Sequence, residues 1–176
     1  MTLGHHALAS RIACTALLTL VTAGPAASQT LPPPYAPINL SGPRFGSTYL
    51  SDGVAETLKD RALDVGSFVT QFGWQFEKRF KTGDNGVTAV NEWVFLVGGL
   101  EQGAVLPSIS WLVGIRTRDG VEFGVGPNVT PAGFALAAAA GITLRTGALN
   151  VPLNLAIVPS KSGFRVSVLT GFNMRR

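Results

Sequence analysis

Most of the chain beyond Gly42 alternates, one residue at a time, between large apolar side chains and small or polar ones. In Leu149–Val158, aliphatic residues occupy all the odd positions, while the even positions from 150 to 156 hold asparagine, proline and alanine. This period of two indicates β-strands, because successive side chains of a strand point to opposite faces. The alternation predicts seven or eight strands, taken from the segments Arg44–Ser51, Ser67–Lys81, Val87–Leu100, Ser108–Arg118, Val121–Val129, Phe134–Thr146, Leu149–Val158 and Phe164–Met174.

Short polar links that contain glycine separate these segments. Thr82–Gly86 and Arg118–Gly120, for example, supply glycine where a tight turn needs a positive φ. Links this short join neighbouring antiparallel strands, and a meander of this many strands tends to close because closure removes both edges. The predicted fold is therefore all-β: an antiparallel up-and-down meander that closes into a barrel of about eight strands. One short helix, Val54–Leu63, is predicted near the N-terminus.

The N-terminal 43 residues are predicted to lie outside the barrel domain. Residues 1–28 have the layout of a secretory signal peptide, with a short region ending at Arg11, an apolar stretch and a run of small residues. Residues 29–43 are proline-rich and predict an extended spacer, which leaves residues 44–176 as the barrel domain. Cleavage after residue 28 would remove His5, His6 and Cys14, the chain's only histidines and cysteine. Catalysis by a Cys/His or Ser/His pair would then be impossible, and we expect no enzyme, no cofactor and no metal site.

Charge is sparse in this sequence. Charged residues make up 14% of the chain, against about 25% in ordinary soluble domains. The 14 Lys and Arg exceed the 10 Asp and Glu only slightly and are dispersed, so nucleic acid is not expected as a partner. Few charges and 21 glycines, without a long apolar helix, indicate a β-protein with an apolar environment.

The face opposite the large apolar residues is unusual for a sheet that meets water. It consists of Gly, Ala, Ser and Asn with occasional Arg or Glu, as in Ala137–Gly141, where Lys, Glu and Thr are normal. We therefore expect the large face to meet lipid and the small, polar face to fill a narrow lumen; strands of about 9–11 residues cross a membrane when tilted. The predicted lumen ion pairs join Glu77, Glu92 and Glu122 to Arg116, Arg145 and Arg165, and the predicted lipid-facing aromatics are Phe68, Phe72, Trp74, Phe76, Trp93 and Trp111.

From about Gly42 to Met174 the chain resembles the small, eight-stranded outer-membrane β-barrel proteins, by architecture and not by a specific motif. Phe164–Phe172 is similar to the terminal strand that such proteins present to their assembly machinery. The resemblance implies a location in the bacterial outer membrane, membrane lipid as the partner, and a structural or envelope-interacting role without catalysis. A barrel of eight strands has room mainly for side chains, so no wide pore is expected.

An alternative interpretation exchanges the inward and outward faces of the barrel. A soluble periplasmic or secreted barrel of the lipocalin type would place the large apolar face inward and bind an apolar ligand. Pro127 and Pro152, the short loops and the polar residues after Phe172 favour this alternative. An enzyme acting on envelope lipids is a third possibility, but no constellation of residues supports it.

Overall fold

The computed structural model describes residues 39–174, apart from the side chain of Lys81. The predicted signal peptide and most of the predicted spacer lie outside these residues. The chain forms eight long antiparallel strands: β1 Gly42–Leu50, β2 Phe68–Thr82, β3 Thr88–Gly98, β4 Leu106–Arg116, β5 Val121–Thr130, β6 Gly133–Thr146, β7 Leu149–Ser160 and β8 Gly163–Gly171. A short strand, β9 (Asn173–Met174), follows β8, and β1 begins two residues before the predicted domain boundary.

The strands form a closed barrel. Each of the eight long strands pairs with the long strands before and after it in the sequence, and β8 pairs with β1, which closes the sheet. The predicted all-β meander, its closure and the short helix near the N-terminal end of the described chain are confirmed. The helix and the β3–β4 loop lie at one end of the barrel, here called the helix end. β1 starts and β8 finishes at the opposite, terminal end.

The pairing register fixes the tilt of the strands. A path of paired residues that leaves Lys78 on β2 and crosses all the other strands returns to β2 at Phe68, ten residues away (78 minus 68). Ten residues correspond to about 33 Å along a strand, whereas eight strand spacings add up to about 38 Å, so the strands tilt by about 41°. An 11-residue strand such as β3 therefore rises about 25 Å along the barrel axis.

Pro127 and Pro152, the two prolines named above, lie next to interruptions in the strand pairing. The β4–β5 register omits the step at Pro127, between the pairs Ser110–Asn128 and Val113–Val125. Pro152 precedes the residue at which β7 starts to pair with β8, and before it β7 pairs with β9 instead. A proline has no N–H to donate, so these are positions where a closed sheet accommodates one at low cost.

Close backbone approach requires glycine at one inward position of β2. A Cβ on Gly73 would lie 1.9 Å from the carbonyl oxygen of Phe95 on β3, which no side-chain rotation could relieve. On β5, by contrast, a Cβ on the inward Gly124 would meet its nearest neighbour at an ordinary 3.5 Å. The close approach of β2 to β3 at this point therefore depends on glycine at position 73.

The helix α1 (Asp52–Lys59) follows β1 directly and is shorter than the predicted Val54–Leu63. It ends early because Ala62 adopts a left-handed backbone conformation with φ of 61°. The N–H of Leu63 then bonds the carbonyl of Leu58, which closes the last turn. A single 3₁₀ turn in the β3–β4 loop, at Leu100–Gln102, was not predicted.

The large apolar side chains point away from the barrel axis. Phe68 and Leu136 are 69% and 65% exposed, whereas the inward neighbours on the same strands are buried. The buried set includes polar and charged residues, among them Arg44, Gln75, Glu77 and the other members of the cluster described below. The barrel thus has an apolar outer surface and a partly polar interior.

Candidate functional site

Four charged side chains form a network in the lumen near the terminal end. Arg116, the last residue of β4, donates hydrogen bonds to Glu77, Glu92 and Glu122, and we call these four residues the floor cluster. The Arg116 Nη2 lies 2.6 Å from Glu77 Oε2, 3.1 Å from Glu92 Oε1 and 2.6 Å from Glu122 Oε2. Its Nη1 donates to Glu77 Oε1 at 2.8 Å and its Nε to Glu122 Oε2 at 2.9 Å. All four residues are at most 8% exposed.

The strand register explains why these residues meet. Glu77 on β2 pairs with Glu92 on β3, and Arg116 on β4 pairs with Glu122 on β5. Four consecutive strands thus each place one charged side chain inward near the same end of the lumen. Like charges that face each other across a strand pair repel, so the three carboxylates need the guanidinium between them. The floor cluster depends on Arg116 for its charge balance.

Arg44 on β1 is a second buried cation of the lower lumen, and the sequence analysis did not single it out. It is 1% exposed, and its Nε donates to Gln75 Oε1 at 3.0 Å. Its Nη2 donates to the Leu40 carbonyl at 2.6 Å, while the Leu40 N–H donates to Glu77 Oε2 at 3.2 Å. The chain before β1 therefore links Arg44 to the floor cluster.

The terminal end of the lumen is closed by the residues just before β1. Leu40 is fully buried there, and the Ser41 hydroxyl accepts a hydrogen bond from the Glu77 N–H at 2.8 Å. The Asn173 Nδ2 of β9 donates to the Ser41 carbonyl. This end of the barrel is sealed by main-chain and side-chain hydrogen bonds.

The helix α1 plugs the opposite end. Its Val54 and Leu58 are buried, and they pack in one apolar cluster with Leu50, Val69 and Leu106 from the ends of β1, β2 and β4, together with Val65 and Ala104 from the adjoining loops. Burial of the two helix residues would contribute a few kcal/mol, at about 1.5–3 kcal/mol for each fully buried aliphatic side chain. The helix is thus held on the barrel by an apolar contact and not by charge.

A cavity of about 80 Å³ lies in the lumen between the plug and the floor cluster. Its wall is mixed: apolar side chains such as Leu112, Val158 and Leu169 alternate with polar ones such as Asn128 and Arg165. Several of the polar atoms that face the lumen are buried without a hydrogen-bond partner, namely Gln75 Nε2, Asn128 Oδ1, Asn154 Oδ1 and Arg165 Nε.

Two of the predicted lumen arginines lie away from the glutamates. Arg165, near the start of β8, is buried below the plug, and its Nη1 donates to Thr130 Oγ1 at 2.6 Å. Arg145 lies one residue before the end of β6 and is exposed at the rim, where its Nη2 donates to the Arg118 carbonyl at 2.8 Å. The structure therefore brings together Glu77, Glu92, Glu122 and Arg116, while Arg145 and Arg165 make other contacts.

The six predicted lipid-facing aromatics all lie on the outer surface. Phe68, Phe72, Trp74, Phe76, Trp93 and Trp111 are each at least 41% exposed. Trp93 and Trp111 stack with ring centroids 5.7 Å apart, and each is the central residue of its strand. The aromatics near the strand ends are phenylalanine and tyrosine instead: at the helix end Tyr49 contacts both Phe68 and Phe164.

No helix of residues 39–174 is long and apolar enough to cross a membrane. Within the same residues, no group of three or more His, Cys, Asp or Glu side chains is arranged to hold a metal ion. No family model, curated protein or solved structure matches this chain.

Proposed function

We propose that this chain is an outer-membrane β-barrel protein with a structural or envelope-interacting role and no catalytic activity. The observation that carries the proposal is the orientation of the two faces. Large apolar side chains cover most of the outside of the barrel, while the buried charged residues lie in a lumen that side chains close at both ends. In water, an outer surface of this kind would be an unusually large apolar patch for a monomer.

The dimensions of the barrel agree with a lipid environment. The rise of about 25 Å along the axis matches the apolar band of about 25 Å found on membrane barrels. Eight strands at a tilt of about 41° also fall in the range of small membrane barrels. The phenylalanine and tyrosine residues clustered at the helix end, Tyr49, Phe68 and Phe164, lie where an aromatic girdle would meet the membrane interface.

A sealed lumen argues for a role other than transport. The floor cluster and the segment before β1 close the terminal end, and α1 closes the helix end. A solute would have to displace both closures to pass. The parts that can contact other envelope components are therefore the outer surface and the loops.

Fractionation of cells that express the full chain tests the location. We expect recovery in the outer membrane, with faster migration on gel electrophoresis before boiling than after it. Recovery as a detergent-free soluble protein without a heat-dependent shift would overturn the proposal and support the soluble, ligand-binding alternative.

A matched pair of lysine substitutions distinguishes lipid from water at the outer surface. Val125 in β5 is 64% exposed and Val105 in the β3–β4 loop is 60% exposed. In lipid, Val125→Lys should cost about 2–4 kcal/mol of folding free energy, whereas Val105→Lys should cost almost nothing. Urea unfolding of both variants in lipid vesicles measures the difference. If both substitutions are neutral, residue 125 does not face lipid.

A further inference from the structure

Arg165 is a buried cation that has no carboxylate partner among the described residues. It is 6% exposed, and the three carboxylates of the floor cluster are bonded to Arg116, at the other end of the lumen. Its Nη1 bonds the neutral hydroxyl of Thr130, and its Nε is buried with no hydrogen-bond partner. Burial of a charge without a counter-charge is costly, so something that carries negative charge should occupy the space beside Arg165.

The space beside Arg165 is the lumen cavity. Arg165 lines it below the plug, and Glu92 of the floor cluster lines it toward the terminal end. Leu112, Val158 and Leu169 supply apolar wall. The site therefore offers a charge-assisted donor on one side and aliphatic surface on the other.

We propose that this cavity binds a small carboxylate anion, with the carboxylate on the Arg165 guanidinium and a short aliphatic tail against the apolar wall. An apolar cavity of about 150 Å³ takes up benzene, so this cavity of about 80 Å³ suits a ligand smaller than benzene, such as acetate or propionate. Carboxylates match the planar guanidinium better than spherical anions do. The inference goes beyond the proposed function and does not depend on whether the barrel lies in lipid or in water.

NMR of the folded full-length protein, ¹⁵N-labelled on its arginine side chains, tests this directly. Propionate is titrated against sodium gluconate at constant ionic strength, because gluconate is too large for the cavity. We expect one Nε–H signal to shift saturably, and that signal should be the one missing from the spectrum of Arg165→Met. Saturable stabilisation against thermal unfolding should accompany the shift.

The controls separate a carboxylate site from a general salt effect. Arg165→Met should weaken propionate binding at least tenfold, while Arg145→Met, a change at the exposed rim, should leave binding unchanged. Propionamide, the neutral analogue, should produce no saturable shift in the wild-type protein. Equal binding by wild type and Arg165→Met, equal affinity for chloride and propionate, or no saturable shift with propionate would each overturn the proposal.

Discussion

Replacing Arg116 by methionine removes the cation that contacts all three glutamates of the floor cluster. Methionine occupies a similar volume but donates no hydrogen bond. The substitution deletes the bonds of 2.6–3.1 Å from Arg116 to Glu77, Glu92 and Glu122. Three buried carboxylates would then face one another on neighbouring strands. The variant therefore tests whether this network stabilises the barrel.

The expected loss is large because the carboxylates keep few other partners. The Leu40 N–H still reaches Glu77, and the Asn154 amide still donates to Glu122 at 2.8 Å. Removal of one partner from a buried ion pair typically costs about 3–5 kcal/mol, and a cation shared by three carboxylates belongs in the upper part of that range. With a urea dependence of about 2 kcal/mol per molar, the unfolding midpoint should fall by about 2 M.

Urea unfolding of the refolded full-length protein, followed by tryptophan fluorescence and unboiled gel electrophoresis, measures the change. Arg145→Met is the matched control, and its expected effect is within about 0.5 kcal/mol because Arg145 is exposed. Adding Glu→Gln at positions 77, 92 and 122 to Arg116→Met removes the repulsion and should recover at least half of the lost stability. Equal midpoints for the two Arg→Met variants, or no recovery with the added glutamines, would refute the electrostatic reasoning.

Three further predictions concern the backbone and one loop. Gly73→Ala should destabilise the barrel by at least about 3 kcal/mol because its Cβ would meet backbone at 1.9 Å, whereas Gly124→Ala should cost less than about 1 kcal/mol; urea midpoints compare the two. Ala62→Gly should raise the free energy of unfolding by about 0.5–1 kcal/mol because Ala62 has a positive φ, and a lower midpoint would contradict this. The Thr70 hydroxyl and N–H both donate to Glu101, which lowers the pKa of that carboxyl to about 2. This attachment of the β3–β4 loop should be complete above about pH 4.5 and lost as the pH falls through about 2. A ¹³C NMR titration should show a higher Glu101 pKa in Thr70→Val, and an unchanged value would remove the hydroxyl as the cause.

The strands could be predicted because alternation is a local signal. Predicted and observed strand ends agree within two residues for most strands, since glycine-containing links end each apolar run. The last strand is the exception: Phe164–Met174 was predicted as one strand but divides at Phe172 into β8 and β9. The division arises where β1 stops pairing with β8, at Arg44 and Gly171. Such a change of partner depends on closure of the barrel, which no local pattern contains.

The lumen could be predicted only in part for the same reason. Alternation identifies which residues point inward, but the pairing register between strands decides which of them lie at the same height along the barrel axis. The alternation in β6 assigns Arg145 to the inward face, but Arg145 lies next to the end of the strand and is exposed at the rim. Arg44 shows the same alternation as the residues that were predicted to face the lumen, because Arg44, Gly46 and Thr48 alternate with Phe45 and Tyr49.

The register also separates the lumen charges along the axis. The buried arginines and glutamates of the described lumen are equal in number, Arg44, Arg116 and Arg165 against Glu77, Glu92 and Glu122. Their distribution along the axis is uneven. Arg44 and Arg116 lie with the three glutamates near the terminal end, whereas Arg165 lies below the plug without a carboxylate beside it. Composition alone would suggest complete internal pairing. The strand pairings exclude that arrangement, and this separation is why an external anion beside Arg165 follows from the structure and not from the sequence.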